Sequence, residues 1–416
     1  MQRRVVITGL GAVSPNGIGK KTFWDNTCNG VSGIGRISSF DPSGLACQIA
    51  GEVQGFDATR YYPETELKKM SRSVPLAVAA SQEALEDAGV DLKSFAEEDF
   101  ESLGVALGSG GSGFDFSEKQ FELHFSGQKK KISPYAIPNS LVGMASSEIS
   151  MYFGLKGRSH VIANGCASSS DALGYVFNCI RFGQEDWCLT GGVESCITPA
   201  MMNGFERMKA NPVHFNDDPT RGSRPFNRDR EGFVLAEGSW MFLLEELEHA
   251  RKRGARIYAE VAGYGTTCDA YHRVAIMPDG RQSTRALKLA LRDARTGGDD
   301  VDYINFHGTS TVLNDKIETL AVKGALNGHA MGVPVSSTKS MVGHPQGASG
   351  ALGVAVAALS LSEGVLTPTI NIEEPDPECD MDYIPNEGRE KNIDVAVANC
   401  ISFGSKNSAI VLKRFC

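Results

Sequence analysis

The sequence predicts an α/β fold in which helices cover buried β-sheets. Short runs rich in Val, Ile and Leu alternate with segments in which apolar residues recur at the three-to-four-residue spacing of a helix. The runs are apolar at consecutive positions, which is typical of strands covered on both faces. With 416 residues, the chain is long enough for two domains or for one large duplicated fold.

The first half contains several β-rich runs and a few helical patterns. Strands are predicted at 3–8, 103–107, 160–163, 186–190 and 240–245. Helices are predicted at 71–88, where Gly89 is the stop signal, and at 247–256, which is basic. Two segments, 114–140 and the polar stretch 212–233, have no regular period and are predicted to be irregular.

The first strand ends in Gly-Leu-Gly, which resembles the beginning of a dinucleotide-binding loop. The third glycine of that pattern would fall at Ser14, and Pro15 follows where a helix should run. We therefore predict no dinucleotide site at this end of the chain.

The second half repeats the alternation of predicted strands and helices seen in the first half. Its predicted elements are a strand from 256, helices 283–295, 314–326 and 347–362, strands 303–306 and 333–336, and a hairpin-like pair at 394–398 and 409–413. A faint echo supports duplication: A-S-S-S-D-A-L-G follows Cys166 and A-S-G-A-L-G follows His344, two residues out of register. We divide the chain into halves 1–254 and 255–416.

Composition excludes several classes of function. The net charge is −9, and no basic run exceeds the three residues of Lys129-Lys130-Lys131, so nucleic acid is not expected as a partner. The N-terminus lacks the pattern of a signal peptide. The longest apolar stretch, 348–361, is 14 residues with Ser and Gly, which predicts a buried helix and not a membrane span. We expect a cytoplasmic protein.

The ten cysteines contain no C-x-x-C pair, so neither a structural zinc site nor a disulfide framework is predicted. Most are expected to be inert core thiols. Cys166 differs, because an apolar run stops at Asn164-Gly165 just before it and a helical pattern begins just after it. The N-terminus of a helix would lower the pKa of this thiol and favour a nucleophilic thiolate. A buried structural cysteine remains the alternative.

Three further segments carry candidate chemistry at strand-to-loop transitions. His307 lies in N-F-H-G-T-S-T, Lys339 and His344 share the loop S-T-K-S-M-V-G-H-P-Q-G-A-S-G, and Phe403 lies in N-C-I-S-F-G-S-K-N. Taken singly, these could be a core histidine, a surface lysine with a capping loop, and an ordinary β-turn.

One thiol, two imidazoles and one ammonium group together suit acyl-thioester chemistry. A thiolate can accept an acyl group, and two imidazole N–H groups can hold a thioester oxygen as it becomes an enolate. No acidic base is needed if the carbanion forms by loss of carbon dioxide, as in a decarboxylative Claisen condensation.

The chain resembles the β-ketoacyl-(acyl carrier protein) synthases, particularly the elongating type, over nearly its whole length. The motifs that carry the resemblance are V-V-I-T-G-L-G-A-V-S-P-N-G, G-C-A-S-S-S, R-P-F-N-R-D-R-E-G-F, D-A-Y-H, H-G-T-S-T with N-D-K-I-E, and K-S-M-V-G-H-P-Q-G-A-S-G-A. The resemblance implies a thiolase-like fold, with two similar halves in five layers, αβαβα, and usually a dimer.

The resemblance also implies residue roles. Cys166 would be the acylated nucleophile, with an oxyanion hole formed by its own backbone N–H and that of Phe403, which would also gate the site. His307 and His344 would assist decarboxylation of malonyl and stabilise the enolate, and Lys339 would hold the polar network around His344. Thr309 and Thr311 would contact phosphopantetheine. The substrates would be carried on an acyl carrier protein, and neither a metal nor a separate cofactor is expected.

Three departures from the family pattern point toward a specialised synthase for polyketide or polyene chains. Ser402 and Ser405 replace glycines around Phe403, which predicts a stiffer gate. Gly353 stands where the family often has a Glu, and Arg273-Val274 replaces Met-Thr. Such enzymes often pair with a cysteine-less partner that sets chain length.

Fatty-acid elongation and polyketide assembly remain close rivals, and two alternatives of other kinds stay open. The first is a non-catalytic chain-length partner subunit, which would typically lack the nucleophile that Cys166 supplies. The second is a thiolase-type enzyme acting on coenzyme A thioesters, which would normally use a second cysteine as base. We expect a homodimer or a heterodimer with a paralogous chain, closed by the segment 108–138, because its apolar side chains are too many for a solvated loop.

Overall fold

The fold is built on one large mixed sheet with helices on both sides. The computed structural model describes residues 2–404 and 406–415. The strands of the described residues are β1 Val5–Ser14, β2 Gly17–Ile18, β3 Gly35–Arg36, β4 Ile49–Ala50, β5 Gly104–Gly108, β6 Ser159–Ile162, β7 Trp187–Glu194, β8 Gly238–Glu246, β9 Ala259–Cys268, β10 Tyr303–Asn305, β11 Val335–Ser336, β12 Val365–Leu366, β13 Arg389–Glu390, β14 Val395–Ser402 and β15 Lys406–Lys413.

The helices of these residues are α1 Lys20–Cys28, α2 Glu64–Leu67, α3 Ser73–Asp87, α4 Glu97–Ser102, α5 Phe114–Phe125, α6 Ala136–Ser140, α7 Met144–Phe153, α8 Ser168–Arg181, α9 Pro199–Arg207, α10 Leu247–Lys252, α11 Arg281–Asp293, α12 Val312–Leu326, α13 Lys339–Val342 and α14 Ser349–Glu363. Among these, no helix combines the length and the apolar character needed to cross a bilayer.

The main sheet has the same strand pattern on either side of its centre. Its order is β11-β10-β14-β15-β9-β1-β8-β7-β5-β6, with β2 attached to β1. The central strands β1 and β9 are antiparallel, and outward from each the neighbours run antiparallel, antiparallel, parallel and parallel. Strands β1, β8, β7, β5 and β6 therefore correspond to β9, β15, β14, β10 and β11. The division at residues 254 and 255 falls between α10 and β9 and remains a prediction.

Helices α8 and α14 form a central layer between the two halves of the sheet. Helix α8 packs on β7 and β5, α14 packs on β14 and β10, and the two helices contact each other. They approach closely where a Cβ atom at Gly350 would lie 2.0 Å from Ser170 Oγ. Helix α3 covers the outer face of the first half, and α11 with α12 covers that of the second. The resulting order of layers is α, β, α, β, α, as the resemblance implied.

Both outer helices rest on pairs of glycines. A Cβ atom at Gly9 or Gly11 of β1 would lie 2.0 Å from a carbonyl oxygen of α3. Gly263 and Gly265 of β9 meet α11 in the same way, at 2.4 and 2.3 Å. Because these glycines lack side chains, the backbone of each helix lies directly on its strand.

The structure confirms most predicted elements and corrects one segment. The strand β1 continues through Gly-Leu-Gly, with an irregularity in its pairing between Ile7 and Gly9, and the next helix begins only at Lys20, so this segment does not form a dinucleotide-binding loop. The prediction that 114–140 is irregular was wrong, since it contains α5 and α6. Helix α5 buries only Phe116 and Ser117, so it lacks the apolar period by which a helix is recognised.

Candidate active site

Cys166 lies in a tight turn between β6 and α8. Gly165 has a φ of +62°, which glycine adopts without strain. The Ser168 hydroxyl accepts the Asn164 N–H at 2.8 Å and donates to the Gly165 carbonyl at 2.6 Å. Helix α8 starts two residues after the cysteine, so the predicted position of Cys166 at a helix start is confirmed.

The sulfur of Cys166 faces the second half of the chain. His344 Nε2 lies 3.2 Å from this sulfur, and Gln346 Oε1 lies 3.8 Å from it. The His344 backbone is fixed by hydrogen bonds on both sides, its N–H donating to Val234 at 2.7 Å. Ser349 Oγ lies 2.9 Å from His344 Nδ1. A hydroxyl that donates to Nδ1 leaves the imidazole proton on Nε2, where it points at the sulfur.

His307 stands beside His344, with their ring centroids 5.2 Å apart and their planes nearly perpendicular. The buried carboxylate of Glu318 accepts the backbone N–H groups of His307 at 2.7 Å and Gly308 at 2.8 Å. The His307 Nδ1 atom lies 3.4 Å from the sulfur of Cys400. Ligand atoms of Cys166, His307 and His344 all lie within 4.8 Å of one another, a set that would also suit a zinc ion.

Lys339 is the buried cation of the site. It is the first residue of α13 and is 3% exposed. Its ammonium forms no ion pair within 4 Å with any carboxylate of the described residues, so it acts on its neighbours through its field. Burial lowers the pKa of Lys339, while Cys400 and Glu318 raise it.

Burial controls the protonation of the reactive groups. It raises the pKa of the Cys166 thiol to about 11, although the Lys339 charge and hydrogen bonding from Phe403 and Ser402 lower it. The prediction that the helix N-terminus lowers the pKa of Cys166 is therefore wrong in direction. The cost of removing the thiolate from water raises this pKa by more than the favourable interactions lower it. Burial, followed by the Lys339 charge, holds the pKa of His307 and His344 well below the usual range. Both imidazoles are neutral at pH 7.

One predicted oxyanion donor is already engaged, since the Cys166 N–H donates to Ser402 Oγ at 2.8 Å. The Phe403 backbone acts on the thiol itself, and its hydrogen bonding lowers the pKa of Cys166. The Ser402 hydroxyl in turn donates to the Asn164 carbonyl at 2.9 Å. Ser405, the other departure predicted to stiffen the gate, lies outside the described residues.

A cavity of about 260 Å³ connects the reactive groups to the surface. Cys166, both histidines, Thr309, Thr311, Ser402 and Phe403 line it. The hydroxyls of Thr309 and Thr311 lie 2.9 Å apart, and Thr311 also caps α12. Val274 lies at the mouth of this cavity. A larger cavity of about 550 Å³ lies near α3 and α5 and contains none of the predicted site residues.

The structure thus brings together all seven residues predicted from the sequence. Sequence reasoning missed the parts played by several polar neighbours: Glu318, Ser349, Gln346 and Cys400. Each lies within a motif that was singled out, but its spacing gives no sign of what it contacts. The position of Gly353, where a Glu was expected, faces Asn305 Oδ1, which a Cβ atom would meet at 3.1 Å.

Comparisons with known proteins agree with the geometry. Residues 2–250 match the family model for the N-terminal domain of beta-ketoacyl synthase, and residues 258–373 match that for the C-terminal domain. The chain is 42% identical over 414 residues to a 3-oxoacyl-[acyl-carrier-protein] synthase 2 of Synechocystis sp., covering 100% of this chain and 99% of that protein. It is 40% identical to the protein of the same name from Coxiella burnetii, covering 99% of each.

Two solved structures cover the whole chain, and each is covered completely in turn. One is a type II polyketide synthase acyl-carrier protein in complex with its ketosynthase bound to the hexaketide, with a TM-score of 0.90 and 32% identity. The other is the ishigamide ketosynthase/chain length factor, with a TM-score of 0.91 and 31% identity. The predicted thiolase-like fold is confirmed, and the chain belongs to the beta-ketoacyl synthase family.

Proposed function

We propose that this protein catalyses the decarboxylative condensation of a Cys166-bound acyl group with malonyl-(acyl carrier protein). The products are a β-ketoacyl-carrier protein and carbon dioxide. The observation that carries the proposal is the contact of 3.2 Å between Cys166 Sγ and His344 Nε2, with His307 alongside in the same cavity. The family membership of the chain supports the same reaction.

The first half-reaction loads the acyl group. The Cys166 sulfur attacks the carbonyl carbon of an acyl thioester, and a tetrahedral oxyanion forms. The intermediate collapses to an acyl-Cys166 thioester, and the leaving pantetheine sulfur takes the proton that the thiol has lost. His344 Nε2–H and the Lys339 charge favour the thiolate that performs this attack.

The second half-reaction forms the carbon–carbon bond. The malonyl carboxylate leaves as carbon dioxide, and its electron pair becomes an enolate at the thioester. Neutral His307 and His344 can each present an N–H to the enolate oxygen, which is why their low pKa values suit this step. The enolate carbon attacks acyl-Cys166, and the released thiolate takes up a proton from solvent.

An acyl carrier protein is the proposed partner for both steps. The 260 Å³ cavity is lined by the pair Thr309 and Thr311, whose hydroxyls can hydrogen-bond the amide groups of a phosphopantetheine arm. Exposed Lys209 lines the cavity, exposed Arg207 and Arg273 are the sequence neighbours of the lining residues Met208 and Val274, and these three cations would attract an acidic carrier. No separate cofactor is part of the proposal. The free thiols of the nine described cysteines fit a reducing cytoplasm.

We also propose a dimer closed by the segment 108–138. This segment exposes apolar side chains on α5 and α6, including Phe121, Phe125, Tyr135 and Ile137, with Phe125 83% exposed. Such a concentration of exposed apolar groups is typical of an interface. A homodimer and a heterodimer with a cysteine-less paralogue would both cover these side chains. The similar ishigamide structure is that of a ketosynthase/chain length factor, which is a reason to test for the heterodimer as well.

The alternatives are separated by one assay. Malonyl-carrier and acyl-carrier are incubated with the protein, and the carrier is analysed by intact mass. The expected result is a carrier whose mass has grown by one two-carbon unit with a β-keto group, and no product with Cys166→Ala. Growth only with coenzyme A thioesters would favour a thiolase, and no growth without a second chain would favour a dependent partner. The length and oxidation state of the product would separate fatty-acid from polyketide assembly.

A further inference from the structure

Ser402 occupies the backbone donor that the acyl transfer needs. Its hydroxyl oxygen lies 2.8 Å from the Cys166 nitrogen and accepts that N–H, while its proton has two carbonyl acceptors, Asn164 at 2.9 Å and Phe403 at 3.1 Å. The side chain is 3% exposed, so water does not compete for these bonds. An oxyanion that forms on Cys166 must therefore take the N–H from the serine.

The surrounding backbone fixes the position of the Ser402 hydroxyl. Ser402 is the last residue of β14 and pairs with Lys406 of β15, so its main chain is fixed by the sheet. Gly165 makes room for it, because a Cβ atom there would lie 2.5 Å from Ser402 Oγ. The cavity that holds Cys166 is lined by Ser402 too, which leaves space for the hydroxyl to turn away.

We propose that Ser402 is a positioning residue that plugs the oxyanion hole of the resting enzyme. Loading of an acyl group then requires rotation of the Ser402 side chain about its Cα–Cβ bond, which frees the Cys166 N–H. The inference rests on the proposed acyl transfer to Cys166. It adds a step that a glycine at this position would not impose.

Removing the Ser402 hydroxyl should change the rate of acyl loading in opposite directions, depending on whether the hydroxyl blocks the Cys166 N–H or itself donates to the oxyanion. If the hydroxyl only blocks the amide, its removal accelerates loading by the worth of one neutral hydrogen bond, about fivefold. If the hydroxyl instead turned its own proton to the oxyanion, its removal would slow loading by about 100-fold, as loss of an oxyanion donor does. Direction and size both separate the two roles.

The test measures three rates on wild type, Ser402→Ala and Ser402→Gly. The first is acyl transfer from acyl-carrier to Cys166, followed by intact mass of the enzyme. The second is alkylation of Cys166 by iodoacetamide, which needs the same access but develops no oxyanion. The third is decarboxylation of malonyl-carrier by enzyme already acylated on Cys166. Ser239→Ala is the matched control, because its buried hydroxyl also donates to a carbonyl, that of Gly192.

The expected result is loading about fivefold faster in both Ser402 variants, with alkylation no faster than in wild type and decarboxylation within twofold of wild type. Unchanged or slower loading overturns the plug, and so does a parallel rise in alkylation, which would indicate a loosened turn. If Ser402→Ala does not fold, Ser402→Gly decides alone, since glycine fits any backbone conformation there. A wild-type enzyme that never accepts an acyl group refutes the proposed function, whatever the variants do.

Discussion

The Nε2 atom of His344 lies 3.2 Å from the sulfur of Cys166, in a site so buried that the thiol and not the thiolate is the resting form. The nucleophilic thiolate of Cys166 therefore forms only during the reaction and is not the resting state of the enzyme. Contact with the imidazole and with the substrate replaces the water that burial has removed.

The pH dependence of alkylation tests this state of Cys166. A thiol with a pKa of about 11 is protonated at neutral pH, so its thiolate fraction rises with pH until that value is reached. We expect the iodoacetamide rate at Cys166 to rise about tenfold per pH unit between pH 7 and pH 10. Peptide mapping by mass spectrometry gives the rate at each pH, with exposed Cys268 as an internal comparison. A plateau already at pH 7 would instead restore the low pKa that a helix N-terminus suggests.

Replacing either histidine should separate the two half-reactions. His307→Ala and His344→Ala each remove an N–H from the enolate, so condensation is expected to fall by about two to three orders of magnitude. Acyl transfer to Cys166 should persist at a reduced rate, because it depends chiefly on the thiol and the oxyanion hole. Intact mass of the enzyme follows loading, and release of carbon dioxide follows decarboxylation. A variant that condenses at a near-normal rate would show that its histidine lacks the proposed role.

Cys400 is predicted to orient His307. Its thiol lies 3.4 Å from His307 Nδ1 and 3.2 Å from the Cys166 carbonyl oxygen, to which it can donate. Cys400→Ala should lower decarboxylation about fivefold, the worth of one hydrogen bond, and Cys400→Ser should retain it because a hydroxyl can make the same contacts. The ratio of decarboxylation to loading is measured for both. Equal rates in the alanine and serine variants would contradict the role.

Gln346 is predicted to discriminate between acyl chains. It is buried beside Cys166, and its Nε2 atom has no hydrogen-bond partner among the described residues. An acyl group with a β-oxygen could accept that N–H, whereas a saturated chain would leave it unpaired. We expect Gln346→Leu to load saturated acyl groups faster relative to β-ketoacyl groups, by about fivefold, in a competition between two carriers. An unchanged ratio would remove Gln346 from substrate selection.

The oligomeric state should depend on the exposed apolar segment. Light scattering on the chain expressed alone is expected to give a dimer at micromolar concentration, and Ile137→Asp should shift it toward monomer, because Ile137 is 73% exposed there. Met331→Asp, also at an exposed position, is the control. A monomer that still condenses would refute dimerisation. Full elongation without any partner would rule out an obligate heterodimer.

Local patterns in the sequence predicted the α/β class and the candidate reactive residues, while the resemblance to the β-ketoacyl synthases supplied the thiolase-like fold and the residue roles. Strand-to-loop transitions place Cys166, His307 and His344, and these transitions are visible as apolar runs that end in glycine or polar residues. The protonation state of Cys166 could not be predicted in this way. It depends on burial by segments far apart in the chain, which outweighs the local helix terminus.

A contact between distant segments explains one of the remaining gaps. Ser402 was recognised as a departure from glycine. Its hydrogen bond with the Cys166 N–H joins residues 236 positions apart, so no pattern in the neighbouring sequence could predict it. Helix α5 was missed for a different, local reason: its exposed Phe121 and Phe125 put apolar residues on the face that is polar in a typical surface helix.

The matching strand order of the two halves has a consequence for how the reactive groups are divided between them. Cys166 follows β6 and precedes α8, while His344 follows β11 and precedes α14, so the nucleophile and its imidazole partner hold equivalent places. In a symmetric pair of single halves, both places would carry the same residue and face each other across the axis. Joined in one chain, the two loops can differ, and here the loop of the first half supplies the thiol of Cys166 while the loop of the second half supplies the imidazole of His344 that contacts it.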